Sequence, residues 1–402
     1  MMSPASHIPR SADQQALQQK QHNRPIPPLD RYRPSYVYQP EDDEKSPLFL
    51  AFNQDISRLS CGTQKGFRVY DIKPPSLQEN INWEPLLNGG ISIVELMYDR
   101  GFAAIVGGGT IPRYPPNKVM MWDFIQRRCR GELSFRSPVR GVKLRLDKLV
   151  VVLEFKIFVY EFETLNLIFN ADTIGNPKGL SAISGASASP FVFACPGLQK
   201  GEVRIEWLRA TPDKKLTRDT TMVAAHDSHL ACIALSFDGR LLATASNKGT
   251  LIRIFSTFDG THLQELRRGA ERVEIYSLAF SATAHWLAVS SDKGTVHVFG
   301  LSNGYNRHSK HAMSLPGNAN PGSSLSFMKG VLPKYFSSEW SFAQFKLPEE
   351  MRSIVAFAHE KHILYILSSD GSFYKCAFDP MRGGEMEQKE YVKFLKLKNE
   401  IY

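Results

Sequence analysis

From about residue 47 onward the apolar positions fall in short runs, not in long periodic stretches. Runs of roughly four to eight β-branched and aromatic residues are separated by Gly, Asn, Asp and Pro, with little sustained helical periodicity, which reads as strands joined by tight turns. Two stretches are near copies. Cys232–Phe255, CIALSFDGRLLATASNKGTLIRIF, and Ser277–Phe299, SLAFSATAHWLAVSSDKGTVHVF, each read as apolar strand, turn, strand ending in Ser, Lys-Gly-Thr and a further strand. Gly249 and Gly294 stand 45 residues apart, inside the period of about 40 to 45 residues expected of a four-stranded WD-type blade. Fainter copies at Leu50–Asp71 and Ile354–Phe378, with strand-rich units at about 91–135, 139–171 and 179–208, bring the count to seven.

The expected fold is therefore all-β, a seven-bladed WD-type β-propeller over residues 46–396. A small twisted sheet cannot bury both faces alone, and stacking such sheets around an axis buries them. The Trp-Asp dipeptide occurs once, at Trp122-Asp123, so the reading rests on periodicity, and a pair of β-sandwiches is the competing architecture. The residues to about 395 are expected to close the ring. Residues 1–45, rich in Gln, Pro, Ser and charge and poor in aliphatics, read as a disordered N-terminal segment.

Composition narrows the function. With 402 residues and 43% hydrophobic content the chain can bury a large core, and 49 Lys and Arg against 40 Asp and Glu leave +9, which favours an anionic partner. Nucleic acid is not expected, because no RNA-recognition sequence or aromatic-basic stacking run is present. Cys61, Cys129, Cys195, Cys232 and Cys376 are scattered and odd in number, without a C-x-x-C pair, as in a cytoplasmic protein without disulfides or structural zinc. No apolar run approaches the roughly 20 residues of a membrane span, and the first residues lack a secretory h-region, so membrane association is expected to be peripheral. His226 and His229 lack a third metal ligand, and Gly107–Asn117, GGGTIPRYPPN, lacks the Walker lysine, so it reads as a turn. Without G-x-S-x-G, H-E-x-x-H or paired carboxylates, no enzyme, cofactor or metal is expected.

The candidate chemistry lies at Leu266-Arg267-Arg268-Gly269, between the fifth and sixth units. On extended chain, successive side chains face opposite ways, so the two guanidiniums address two neighbouring pockets, and their planar forks suit phosphate. With that tetrapeptide, PPNKVMMWD (115–123), NPKGL (176–180), NKGTLIRIF (247–255), SSDKGTVHVF (290–299) and KYFSSEWSFAQF (334–345), the chain resembles the PROPPINs, phosphoinositide-binding β-propellers of autophagy, over about residues 46–380. It is most similar in pattern to the branch of shorter WD-repeat proteins interacting with phosphoinositides. Leu266 stands where many members have Phe and is expected to face inward.

The resemblance implies binding of phosphatidylinositol 3-phosphate and phosphatidylinositol 3,5-bisphosphate at two sites. The first would use Arg267 with His226, Ser246, Lys248, Thr250 and Arg253; the second, Arg268 with Ser290 or Ser291, Lys293, Thr295 and His297. It also implies a monomer that works on autophagosome-precursor and endosomal or vacuolar membranes and recruits an autophagy lipid-transfer protein. Residues 301–338 interrupt the sixth unit, carrying Arg307, Lys310, Lys329 and Lys334 and no acidic residue. In the family this insertion dips into the membrane, for which Leu325, Phe327, Met328, Val331 and Leu332 are the candidate side chains, while Tyr335 and Phe336 are expected to fold back as a strand. The competing function is a WD-type protein scaffold without lipid binding, and for the turn hydroxyls a purely structural role in turns and for His297 a core role.

Overall fold

Why each blade forms is visible in its burial pattern. Second strands such as Phe102–Gly107, Phe191–Pro196, Leu241–Ser246 and Trp286–Ser291 are buried along their whole length, as strands sandwiched between two neighbouring sheets must be. Outer strands such as Arg128–Ser134 alternate between half-buried and exposed positions, as a sheet edge facing water does. The computed structural model describes residues 47–73, 76–210, 216–302 and 339–395. These residues build seven sheets, each with a core of four antiparallel strands in simple up-and-down order.

Blade 1 spans Phe49–Asn82, blade 2 Ile91–Ser134, blade 3 Val139–Asp172 and blade 4 Ala182–Ala224. Blade 5 spans Leu230–Arg267, blade 6 has strands Ile275–Phe280, Trp286–Ser291, Thr295–Gly300 and Ala343–Lys346, and blade 7 spans Ser353–Lys393. Seven apolar clusters fill the seven junctions. That between blades 5 and 6 holds Ala243, Ile252, Leu266, Leu287, Val289 and Phe299. Leu266 is fully buried there, as expected for the residue opposite the arginines' environment, and contributes about 1.5 to 3 kcal/mol of burial.

The ring closes without exchanging strands. Blade 7 is built from one continuous stretch ending in Glu387–Lys393, and it meets blade 1 through Leu59, Cys61, Tyr70, Leu367, Phe373 and Phe394. The rings of Tyr70 and Phe394 meet edge to face, 5.0 Å apart. Two periodicity-based boundaries shift. Blade 4 extends beyond 208, because its third and fourth strands form a nine-residue hairpin, Glu202–Ala210 with Leu216–Ala224. Leu301 belongs to the junction of blades 5 and 6 and not to the insertion, since it packs in that core and donates its N–H to His285 O at 2.8 Å.

Outside the four-strand rule, two short strands clip onto the outer edges of neighbouring blades. Glu339–Trp340 pairs in parallel with the last strand of blade 5, Leu266 opposite Glu339 and Arg267 opposite Trp340. Gly384–Glu385 does the same on blade 6, opposite Ala343 and Gln344. Gly107–Asn117 is a turn anchored to blade 2 by Gly90 N–H to Ile111 O at 2.7 Å and Arg113 N–H to Gly90 O at 3.0 Å.

Candidate functional site

The last strand of blade 5, His262–Arg267, alternates its side chains between two junctions. Leu266 enters the core shared with blade 6, so Arg267 faces the cleft toward blade 4, where its cross-strand partner is Leu251. Arg268 follows directly and keeps the ladder, its N–H donating to Thr250 O at 3.0 Å. Its guanidinium turns toward blade 6: Nη2 donates to Glu271 O at 2.7 Å, and Asp292 of blade 6 is one of its charge neighbours. Burial lowers the pKa of Arg268, against the stabilising charges of Asp292 and Glu271. One dipeptide therefore serves two clefts.

The first cleft lies between blades 4 and 5. His226, at the exit of blade 4, is buried and bonds Thr244 Oγ1 through Nε2 at 3.0 Å. Gly201 sets that histidine in place: its carbonyl accepts from both Ala225 and His226 N–H at 3.0 Å, and with φ +75° a Cβ there would lie 1.7 Å from His226 O. Burial first, and the charge of Arg253 second, lower the His226 pKa to about 4, so the ring is neutral at pH 7. Ser246 is buried and its Oγ caps the turn by accepting from Lys248 N–H at 3.4 Å. Lys248 is exposed at the turn tip, and Thr250 is half-buried. Arg253 faces the same cleft, with its Nε paired with Glu265 at 3.0 Å and its Nη1 donating to Ala225 O at 2.7 Å.

The second cleft lies between blades 5 and 6. His297 pairs across the sheet with Val289, a residue of the blade 5 junction, and bonds Ser341 Oγ through Nδ1 at 3.1 Å. Burial first, and Arg268 second, lower its pKa to about 4. Ser291 Oγ and Asp292 Oδ1 are buried there without a hydrogen-bond partner. Thr295 is half-buried beside them and Lys293 exposed at the turn. Ser290 is set apart from this group. It points the other way, and its Oγ donates to Ser353 O of blade 7 at 2.6 Å, so of the two candidate serines Ser291 is the one on the blade 5 side.

Sequence reasoning missed Thr244, Ser341 and Asp292. Thr244 stands two residues before Ser246 on one strand and hence on the same face, a signal that was present. Ser341 lies across the insertion from His297 and carries no local signal. Leu325, Phe327, Met328, Val331 and Leu332, with Tyr335 and Phe336, lie outside the described residues, but both ends of their segment are fixed by one side chain. Buried Gln264, three residues before Arg267, accepts from Ser302 N–H at 3.1 Å and donates to Gly300 O at 3.3 Å and Glu339 Oε2 at 2.8 Å. Among the described residues no helix is long and apolar enough to cross a membrane, and no group of three or more His, Cys, Asp or Glu could hold a metal ion.

Fold and site together define a seven-bladed β-propeller with two adjacent polar clefts sharing an arginine pair. The PROPPIN family model matches residues 48–391. Autophagy-related protein 18e of Arabidopsis thaliana is 42% identical over 363 residues, covering 89% of this chain and 91% of its own. Autophagy-related protein 18 of Dictyostelium discoideum is 31% identical over 353 residues, covering 85% and 91%. Kluyveromyces lactis Hsv2 with complete loop 6CD superposes with a TM-score of 0.65 at 22% identity, covering 87% of this chain and 99% of that one. KlAtg21, solved in complex with the coiled coil of AgAtg16, gives 0.61 at 20% identity, covering 87% and 99%. The chain belongs to the PROPPIN family.

Proposed function

We propose that this protein is a non-catalytic autophagy effector that binds phosphatidylinositol 3-phosphate and phosphatidylinositol 3,5-bisphosphate in its two clefts. The observation that carries this reading is the opposed direction of Arg267 and Arg268, each toward a cleft with a buried neutral histidine and turn hydroxyls. A phosphate meets in each cleft a charge-assisted guanidinium donor, Ser and Thr hydroxyls and an imidazole N–H. Such bonds to a charged group are each worth about 1.5 to 3 kcal/mol. Two headgroups on one rim act multivalently on a membrane.

In this reading Leu325, Phe327, Met328, Val331 and Leu332 enter the bilayer, each contributing roughly 1.5 to 3 kcal/mol when well buried. The insertion's lysines and arginine add about 1 kcal/mol each at an anionic surface. The protein then sits peripherally on autophagosome-precursor and endosomal or vacuolar membranes and recruits a lipid-transfer protein. KlAtg21, solved in complex with the coiled coil of AgAtg16, supports a protein partner as well.

The test is flotation with liposomes containing phosphatidylinositol 3-phosphate, comparing wild type with the Arg267→Thr, Arg268→Thr double variant. The wild type is expected to float and the variant to stay in the bottom fraction. Equal flotation sinks lipid binding at these clefts and leaves the scaffold reading standing.

A further inference from the structure

Three consecutive blades place a basic residue at one position of the sheet. At the end of the last strand, Arg267 lies opposite Leu251 in blade 5, Lys346 opposite Thr295 in blade 6 and Lys393 opposite Ser372 in blade 7. The next residue in each case returns its N–H to the turn before the third strand: Arg268 to Thr250 O at 3.0 Å, Leu347 to Gly294 O at 2.7 Å and Phe394 to Gly371 O at 2.9 Å. Lys346 is thus the register counterpart of Arg267. Cross-strand partners share a face, so Lys346 stands on the side of Thr295 and Gln344 on the side of His297, while Val296 and Phe345 enter the blade 7 junction.

We infer that Lys346 is the second cleft's own phosphate-binding cation, playing there the part that Arg267 plays in the first. This rests on the phosphoinositide reading above. Each cleft then follows one plan: a cation from the blade's own last strand plus a donor from the exit of the preceding blade. The first cleft combines Arg267 with His226 and the second combines Lys346 with Arg268. Lys346 is exposed, and its four-carbon stem lets the ammonium reach an anion at the cleft mouth.

Blade 7 supplies the contrast. There the register counterpart Lys393 is paired with Asp370 and also bonds Ser372 Oγ at 3.4 Å. Asp370 occupies the turn position that Lys248 and Lys293 hold in blades 5 and 6. Glu349 lines the same space, about 310 Å³ between blades 6 and 7, so its cation is already neutralised and a phosphate there would face two carboxylates. Position alone does not make the site: among the described residues Lys393 is paired with a carboxylate and Lys346 is not.

The experiment is calorimetric titration of the full chain with inositol 1,3-bisphosphate. In an Arg267→Thr background, which leaves only the second cleft, Lys346→Gln is expected to weaken binding about tenfold and Lys346→Arg to restore it. In an Arg268→Thr background Lys346→Gln is expected to change nothing, and Lys393→Gln is expected to change nothing in either. Binding in the Arg267→Thr background that is indifferent to Lys346→Gln overturns the assignment while leaving the phosphoinositide reading intact. No binding by wild type overturns both. Equal melting temperatures of wild type and Lys346→Gln separate loss of a contact from loss of the fold.

Discussion

The junctions of blades 5 and 6 and of blades 6 and 7 have the same backbone and opposite chemistry. Both place a serine at the end of the second strand, a Gly turn and a basic residue opposite the start of the third strand. In the former the turn carries Lys293 and the incoming chain brings Arg268. In the latter the turn carries Asp370, bonded to Lys393, and the incoming chain brings Glu349. A propeller repeats a cleft at every junction, and two or three side chains set the charge of each cleft.

The sharpest way to break the comparison is to remove the dipeptide that serves both proposed anion clefts. Arg267→Thr with Arg268→Thr is expected to lower affinity for phosphatidylinositol 3-phosphate vesicles by more than about 100-fold, since two charge-assisted donors and their avidity go together. Retained binding by vesicle sedimentation would place the anion elsewhere.

Next in size is acidification. His226 and His297 have folded pKa values lowered to about 4, against an ordinary value of about 6.5. Between those limits the unfolded chain takes up protons that the folded chain refuses, so stability is unaffected above pH 6.5 and falls as pH drops toward 4. Each histidine can remove on the order of 3 kcal/mol by pH 4. His226→Gln is expected to flatten the fall in melting temperature between pH 6.5 and 4.5, and a parallel curve would refute the assignment.

Gln264→Leu should cost about 1 to 3 kcal/mol, because Gly300 O and Ser302 N–H lose a buried partner. It is also expected to weaken vesicle binding more than binding of soluble inositol 1,3-bisphosphate, since the side chain holds the stem of the insertion rather than a cleft. Equal losses in both assays would make the residue purely structural.

The smallest effect sharpens the contrast from the other side. Asp292 sets a carboxylate beside Arg268, where the first cleft has Asn247 at the matching turn position. Asp292→Asn is expected to tighten second-cleft binding about two- to fivefold and to steepen its salt dependence, read by titration in the Arg267→Thr background. Weaker binding would show that the carboxylate orders Arg268 instead of competing with the ligand.

Much of this was legible along the chain. The 45-residue spacing of Gly249 and Gly294 predicts the blades, and the alternation of extended chain predicts that Arg267 and Arg268 part. What local reading could not resolve were questions of face and register. Ser290 and Ser291 are adjacent letters, yet one bonds blade 7 and the other lies on the blade 5 side. NKGTLIRIF is one residue longer than DKGTVHVF, so Arg253 shares its cross-strand position with His297: Thr244 pairs with Arg253 and Val289 with His297, each two residues before the turn serine. Arg253 reads as a free cation in the sequence, and only its packing against Glu265 shows its charge to be engaged.

The sequence by itself determined the repeat, the strands, the turn glycines and the arginine pair, because these follow from side-chain periodicity and local backbone preference. Tertiary structure decided which residues 18 to 75 positions apart meet: His226 with Thr244, Ser341 with His297, Gln264 with Ser302 and Glu339. It also decided which cations are engaged, since charge neutralisation depends on distance between strands that the linear order does not contain.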